Sequence, residues 1–164
     1  NIQTDYGIIE WLKHIADETA LMIAHWMRIG FVHGVMNTDN MSIHGLTIDY
    51  GPYGWLEDFN PDWTPNTTDS GRKRYKFANQ AKIGGWNYAR LLESMAPLLE
   101  QPNKLHKALD YYYETYQNYN NEMWAEKLGL DGFNTGDDIL ISELTVLLQS
   151  VETDMTIFLS LIHI

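Results

Sequence analysis

The amino-acid sequence predicts an α+β fold, predominantly α-helical, in which one short β-hairpin interrupts a series of long helices. Three observations carry this. Apolar residues recur at three-and-four spacing near the start, a stretch rich in Pro, Gly and Asn fills residues 51–77, and helical periodicity returns from residue 79. With 164 residues and 45% hydrophobic residues, the whole span 1–164 is sized for a single domain with its own core.

The first helix is expected over 7–30. Ile8, Leu12, Ile15, Thr19, Met22, Ile23 and Trp26 share one face, and Gly30 ends it. Residues 31–40 are polar and turn-prone. Met41 and Ile43, followed across His44 and Gly45 by Leu46, Thr47 and Ile48, fit the short hairpin. Residues 52–78 form a loop rich in Pro and aromatic side chains, whose Trp55, Phe59 and Trp63 predict that it packs onto the body. Its Arg72, Lys73, Arg74 and Lys76 form the one dense basic run, either a solvated turn or a contact for phosphate or a partner.

The span 79–164 reads as helical. One helix is expected from Asn79 to Leu99 despite Gly84 and Gly85, each of which costs about 1 kcal/mol relative to Ala in a helix interior. A close helix contact there is therefore expected. A second helix is expected from Asn103 to Leu128, stopped by Gly129. A third begins near Asp137, capped by Thr135 or Asp137, and a last apolar segment starts at Met155.

Eleven basic against twenty-two acidic residues give a net charge of −11, which repels polyanions and argues against a nucleic-acid partner. No Cys is present, so disulfides and thiolate metal sites are excluded. No run approaches the ~20 apolar residues of a membrane span, and Asn1 to Asp5 does not read as a leader.

Chemistry concentrates between His33 and Gly51. Asn40 and Asp49 stand at opposite ends of the expected hairpin, which would bring their side-chain oxygens to one pocket. Mg²⁺ takes hard oxygen ligands and draws only one or two from protein when phosphates and waters supply the rest. The spacing follows that of protein kinases, H-R-D-x-x-x-x-N followed by D-F-G: His33, Asn40 and the Asp49-Tyr50-Gly51 triplet fall on it. Val35 stands where that pattern has its proton-accepting Asp, and a valine accepts no proton. Asp39, immediately before Asn40, could supply a carboxylate from another direction. His33 reads as an orienting or packed histidine, and Gly51 as a residue that permits the backbone turn after Asp49.

The runs WMRIGFVHGVMNTDNMSI (Trp26 to Ile43), GLTIDYGPYG (Gly45 to Gly54) and FNPDWTPN (Phe59 to Asn66) resemble the core of the selenoprotein O family and its bacterial YdiU-type members. The resemblance is continuous from about Gly7 to about Leu92. It implies a protein-kinase-like large (C-terminal) lobe with the short hairpin, lacking its small lobe. It implies a protein adenylyltransferase that binds ATP in a flipped orientation and moves AMP to Ser, Thr or Tyr hydroxyls of proteins. Asp39 would then match the proton acceptor, Asn40 and Asp49 the ligands of Mg²⁺ (or Mn²⁺), and Asp49 also a contact to the ATP phosphates. The small lobe's glycine-containing loop, its Lys and Glu pair and its phosphate-binding arginines have no match in the chain, so the chain alone is expected to bind ATP weakly and turn over little. The expected location is cytoplasmic for a bacterial member and mitochondrial for eukaryotic ones. The other readings are a non-catalytic pseudokinase scaffold and a kinase-like phosphotransferase.

Overall fold

The computed structural model describes residues 4–163; Asn1 to Gln3, part of the stretch considered as a leader, lie outside the described residues. The chain is mostly helical with one small antiparallel sheet, an α+β arrangement. Helix α1 runs Asp5–Arg28. The Thr4 hydroxyl accepts the Gly7 N–H at 3.1 Å, and Asp5 puts negative charge at the positive end of the helix dipole. Its apolar stripe, including Leu12, Ile15, Ile23 and Trp26, is buried as the periodicity predicts. Gly30, with φ +69°, turns the chain out of the helix.

Strand β1 (Phe31–Val32) pairs antiparallel with β2 (Gly54–Trp55), Phe31 facing Trp55 and Val32 facing Gly54. The hairpin expected at 41–48 is not a strand pair. It reduces to one antiparallel bridge, Met41 to Thr47. Ile43, Leu46 and Ile48 are all exposed, so no packed face supports a longer ladder, and a bare two-stranded ribbon is marginal in water.

The 52–78 segment does pack down, through Leu56, Phe59 and Phe77, but Trp55 does not join them and stays 53% exposed. Trp63 lies against Gly54, where any Cβ would meet its ring. Short 3₁₀ turns at Thr67–Asp69 and Phe77–Asn79 punctuate the loop.

Helix α2 (Gln80–Met95) is shorter than its periodicity suggests and ends in a 3₁₀ turn, Ala96–Leu98, where Pro97 has no N–H to continue the α ladder. Helix α3 (Leu105–Leu128) stops at Gly129, φ +67°, as expected. Helices α1, α2 and α3 enclose the larger core around Leu12, Ile23, Ile83, Leu92 and Tyr112. The paired glycines lie at that contact: a Cβ at Gly84 would run into Ile23 Cδ1 and the Tyr112 hydroxyl, and one at Gly85 into the Tyr113 hydroxyl. Tyr112 donates to the Ala81 carbonyl at 2.9 Å, and burial holds its hydroxyl well above its ordinary pKa.

Helix α4 (Asp137–Ser150) is capped by Gly136 at φ +100°, not by Thr135 or Asp137; the Asp137 carboxylate instead accepts the Asn134 N–H at 2.6 Å. Helix α5 (Met155–Leu161) starts at Asp154, which accepts the Ile157 N–H at 2.7 Å. Leu148, Met155 and Leu159 bring these helices onto the smaller core under Val32 and Leu56. No helix among the described residues is long and apolar enough to cross a membrane.

Gly84→Ala sets the two local effects against each other. The gain in helix propensity is about 1 kcal/mol, whereas overpacking against an immobile Tyr112 costs about 1–3 kcal/mol. The variant is expected to be the less stable one in urea denaturation, and an unchanged midpoint would show that Ile23 and Tyr112 give way freely.

Candidate active-site loop

The His33–Asn40 segment is held by side-chain amides from elsewhere in the chain. Gln80, fully buried at the start of α2, spans β1: its Oε1 accepts the His33 N–H at 3.0 Å and its Nε2 donates to the Phe31 carbonyl at 2.8 Å. Asn66 Nδ2 donates to the Gly34 carbonyl at 3.0 Å, and Asn87 Nδ2 to the Met36 carbonyl at 2.9 Å. Asn40 Nδ2 closes the loop on the Val35 carbonyl at 2.9 Å. These buried carbonyls would otherwise each lack a partner, which costs about 1–3 kcal/mol apiece. One irregular segment thus becomes as fixed as a strand.

Each sequence-predicted residue has a defined place on this frame. Asn40 is buried at the end of a 3₁₀ turn, Thr38–Asn40; its amide nitrogen is committed to Val35, and no hydrogen bond reaches its Oδ1 among the described residues. Asp39 sits on the same turn with its side chain in solvent. His33 is 1% exposed, and its Nε2 faces the Ile48 carbonyl at 2.8 Å, so that nitrogen carries the proton, leaving Nδ1 to accept the Val35 N–H at 3.4 Å. It orients; it is not a surface acid or base.

That His33 bond joins the two halves of the site. It ties the residue before Asp49 to the loop that carries Asn40, and the Met41–Thr47 bridge closes the intervening segment. Trp26 Nε1 reinforces this by donating to the Thr47 hydroxyl at 2.9 Å. Asp49 is exposed, its carboxylate has no ion-pair or hydrogen-bond partner among the described residues, and its backbone is left-handed at φ +56°. The unusual conformation therefore belongs to Asp49 itself and not to Gly51, which donates its N–H back to the Asp49 carbonyl at 2.8 Å and accepts the Tyr53 N–H at 2.9 Å. Positive φ is uncommon for a non-glycine residue, although aspartate is among those that adopt it most readily, and such conformations concentrate at functional positions. The free Asn40 Oδ1 and the free Asp49 carboxylate are hard oxygen donors of the kind that Mg²⁺ or Mn²⁺ takes.

Periodicity alone does not single out Gln80 and Asn87, yet a signal exists. With Gly84 they lie at four-and-three spacing on one face of α2, polar groups on the side that faces the core. A cavity of about 340 Å³ opens beside the turn, lined among others by Ile15, Thr38, Ser42, Gly84 and Asn87. Asn87 Oδ1 is buried without a hydrogen-bond partner among the described residues.

Gln80→Met keeps the volume but leaves the Phe31 carbonyl and the His33 N–H unsatisfied. A loss of about 2–4 kcal/mol is expected in denaturant unfolding; a loss under about 1 kcal/mol would show that water replaces the amide. At residue 49, Gly accepts the left-handed backbone and Ala does not, so Asp49→Gly should be about 1 kcal/mol more stable than Asp49→Ala. Equal midpoints would show that the conformation is not imposed by the surrounding fold.

Comparison with known proteins places the chain in a family. The family described as protein adenylyltransferase SelO matches residues 2–163. Similar proteins include the protein nucleotidyltransferase YdiU of Aromatoleum aromaticum, 53% identical over 91% of this chain and 28% of that protein. Those of Flavobacterium johnsoniae (51% identical, 92% of this chain, 29% of that protein) and Rhodopirellula baltica (52%, 92%, 28%) are alike. The chain spans less than a third of the length of these relatives. A match across nearly every residue, at about half identity to three such proteins, leads to one conclusion: this chain belongs to the SelO family of protein adenylyltransferases.

Proposed function

We propose that this chain is the metal- and acceptor-facing part of a kinase-like protein adenylyltransferase that moves AMP from ATP to Ser, Thr or Tyr hydroxyls of other proteins. The observation that carries the reading is the pairing of a committed Asn40 amide with a free Oδ1, on a loop tied through His33 to the residue before a free Asp49. Asn40 is held by the fold before any ligand arrives, which lowers the ordering cost of binding, and Asp49 offers a carboxylate free to turn toward an ion. Mg²⁺, or Mn²⁺ in its place, would be held by Asn40 and Asp49, and when bound it supplies charge neutralisation at the phosphates.

Asp39 is the proton acceptor in this reading. Its carboxylate stands in solvent beside Asn40, where an acceptor hydroxyl can reach it, and it takes the hydroxyl proton as that oxygen attacks the α-phosphorus. The bond to the β-phosphate oxygen breaks and pyrophosphate leaves. Val35, at the place of the kinase carboxylate, is half-buried and its carbonyl is occupied by Asn40, so it contributes position and no proton transfer.

The small lobe's Lys, Glu and arginines have no counterpart in these 164 residues. With a net charge of −11, the chain by itself is proposed to bind Mg-ATP weakly. Val35 also permits a second reading, a scaffold that uses the same loop without chemistry.

The test uses the full-length protein and ATP labelled at either the α or the γ phosphate. Label on protein from the α position alone is expected, Asp39→Asn should lower its rate by about 10²-fold or more, and Asp49→Ala should abolish it. Label from the γ position alone would make the protein a phosphotransferase, and cellular function that survives Asp49→Ala would favour the scaffold.

A further inference from the structure

The dense basic run remains to be explained in a protein with twice as many acidic as basic residues. Its backbone is built to a fixed shape. The Asp69 carboxylate accepts the N–H groups of Arg74 (3.0 Å) and Tyr75 (2.7 Å), and Asn79 Nδ2 donates to the carbonyls of Lys73 (3.2 Å) and Arg74 (3.1 Å). Lys73 is held left-handed at φ +49°. A solvated turn needs none of this.

One of its side chains makes a defined ring contact as well. The Arg74 guanidinium lies 4.7 Å from the centroid of Trp86, and the Arg90 guanidinium 5.3 Å from the same ring. Two cations share one exposed indole, which places them within about 10 Å of each other by those two distances. Arg90 also meets Glu93 at 2.5 Å on its own helix, whereas Arg74 makes no ion pair among the described residues. Next to Arg74, the Tyr75 hydroxyl donates to Asn37 Oδ1 at 2.5 Å, so the basic segment is bonded directly to the loop that carries Asp39 two residues later.

From this we infer that the Arg74–Trp86–Arg90 stack is a docking surface for the acceptor protein, and that it selects acceptor hydroxyls flanked by acidic side chains. Charge complementarity carries the choice of partner. With a net charge of −11 most of the surface repels an acidic segment, whereas this stack offers the Arg74 guanidinium, unpaired among the described residues, and, next to it, Arg90, whose Glu93 partner an incoming carboxylate would displace and which lines the same cavity as Thr38. Planar guanidiniums fit carboxylates in a two-pronged way that a lone ammonium does not. An acidic segment seated there would lay its neighbouring hydroxyl toward the Thr38–Asn40 turn. The inference rests on the proposed adenylyl transfer for its meaning, yet the docking itself can be measured without any transfer.

Full-length protein free of nucleotide and metal is titrated with dye-labelled Ser peptides whose flanks are all Glu, all Gln or all Lys. The Glu peptide should bind most tightly, more weakly as salt rises, and about tenfold more weakly to Arg74→Ala or Arg90→Ala, the size of one charge-assisted contact. Arg74→Glu should reverse the preference toward the Lys peptide, a gain that a misfolded variant could not show. In turnover, the same variants should raise KM for the Glu peptide and leave KM for ATP where it was. Three results would overturn the inference: equal affinity for the three peptides, a preference that survives Arg74→Glu, or a rise in KM for ATP, which would give the stack to the nucleotide phosphates. If the peptide preference holds while no label moves from the α-phosphate, the docking surface stands and adenylyl transfer falls.

Discussion

The site depends on a set of amide-to-carbonyl hydrogen bonds that hold an irregular loop still. Gln80, Asn66, Asn87 and Asn40 each give an N–H to a carbonyl between Phe31 and Met36. A loop with satisfied buried carbonyls behaves like part of the core, because moving it strands several polar groups at once. Everything proposed to act on ligand, Asp39, Asn40 and Asp49, hangs from this frame at its solvent edge.

The frame relies in turn on how α2 lies against α1 and α3. Gln80 and Asn87 reach the loop because Gly84, on the same face between them, lets the helix come close to Ile23 and Tyr112. Tyr88 adds a further tie, donating to the Leu12 carbonyl at 2.8 Å. A bulkier residue at 84 would push the helix outward and draw both amides away from their carbonyls. Packing and polar positioning are therefore one constraint, set in the middle of α2.

The long helices were legible because burial of one face repeats along the chain, and Gly30 and Gly129 marked their ends. Asn40 and Asp49 stand out in the sequence as a spaced pair of oxygen donors. The amides that hold their loop were not, because Gln80, Asn66 and Asn87 act on groups 47, 32 and 51 residues away, and a long-range hydrogen bond leaves no periodic trace. The sheet was misplaced for a related reason. The 41–48 stretch has strand-like residues but no partner surface, while the two-residue strands at 31–32 and 54–55 are too short to show alternation and are fixed by Phe31 and Val32 lying on the core. The basic run reads more readily as a solvated turn, and the bonds that shape its backbone together with the shared contact with Trp86 favour the other reading.

The left-handed backbone at Asp49 shapes how this protein can drift over generations. Glycine, asparagine and aspartate are the residues that tolerate such a conformation at low cost, so mutations that survive folding at that codon are drawn from a very small set. Two of the three remove the carboxylate and leave the backbone at ease. On the role proposed for Asp49, a lineage can therefore lose its acid there and keep a sound, well-ordered molecule, a short evolutionary path from an enzyme to an inert descendant of the same shape.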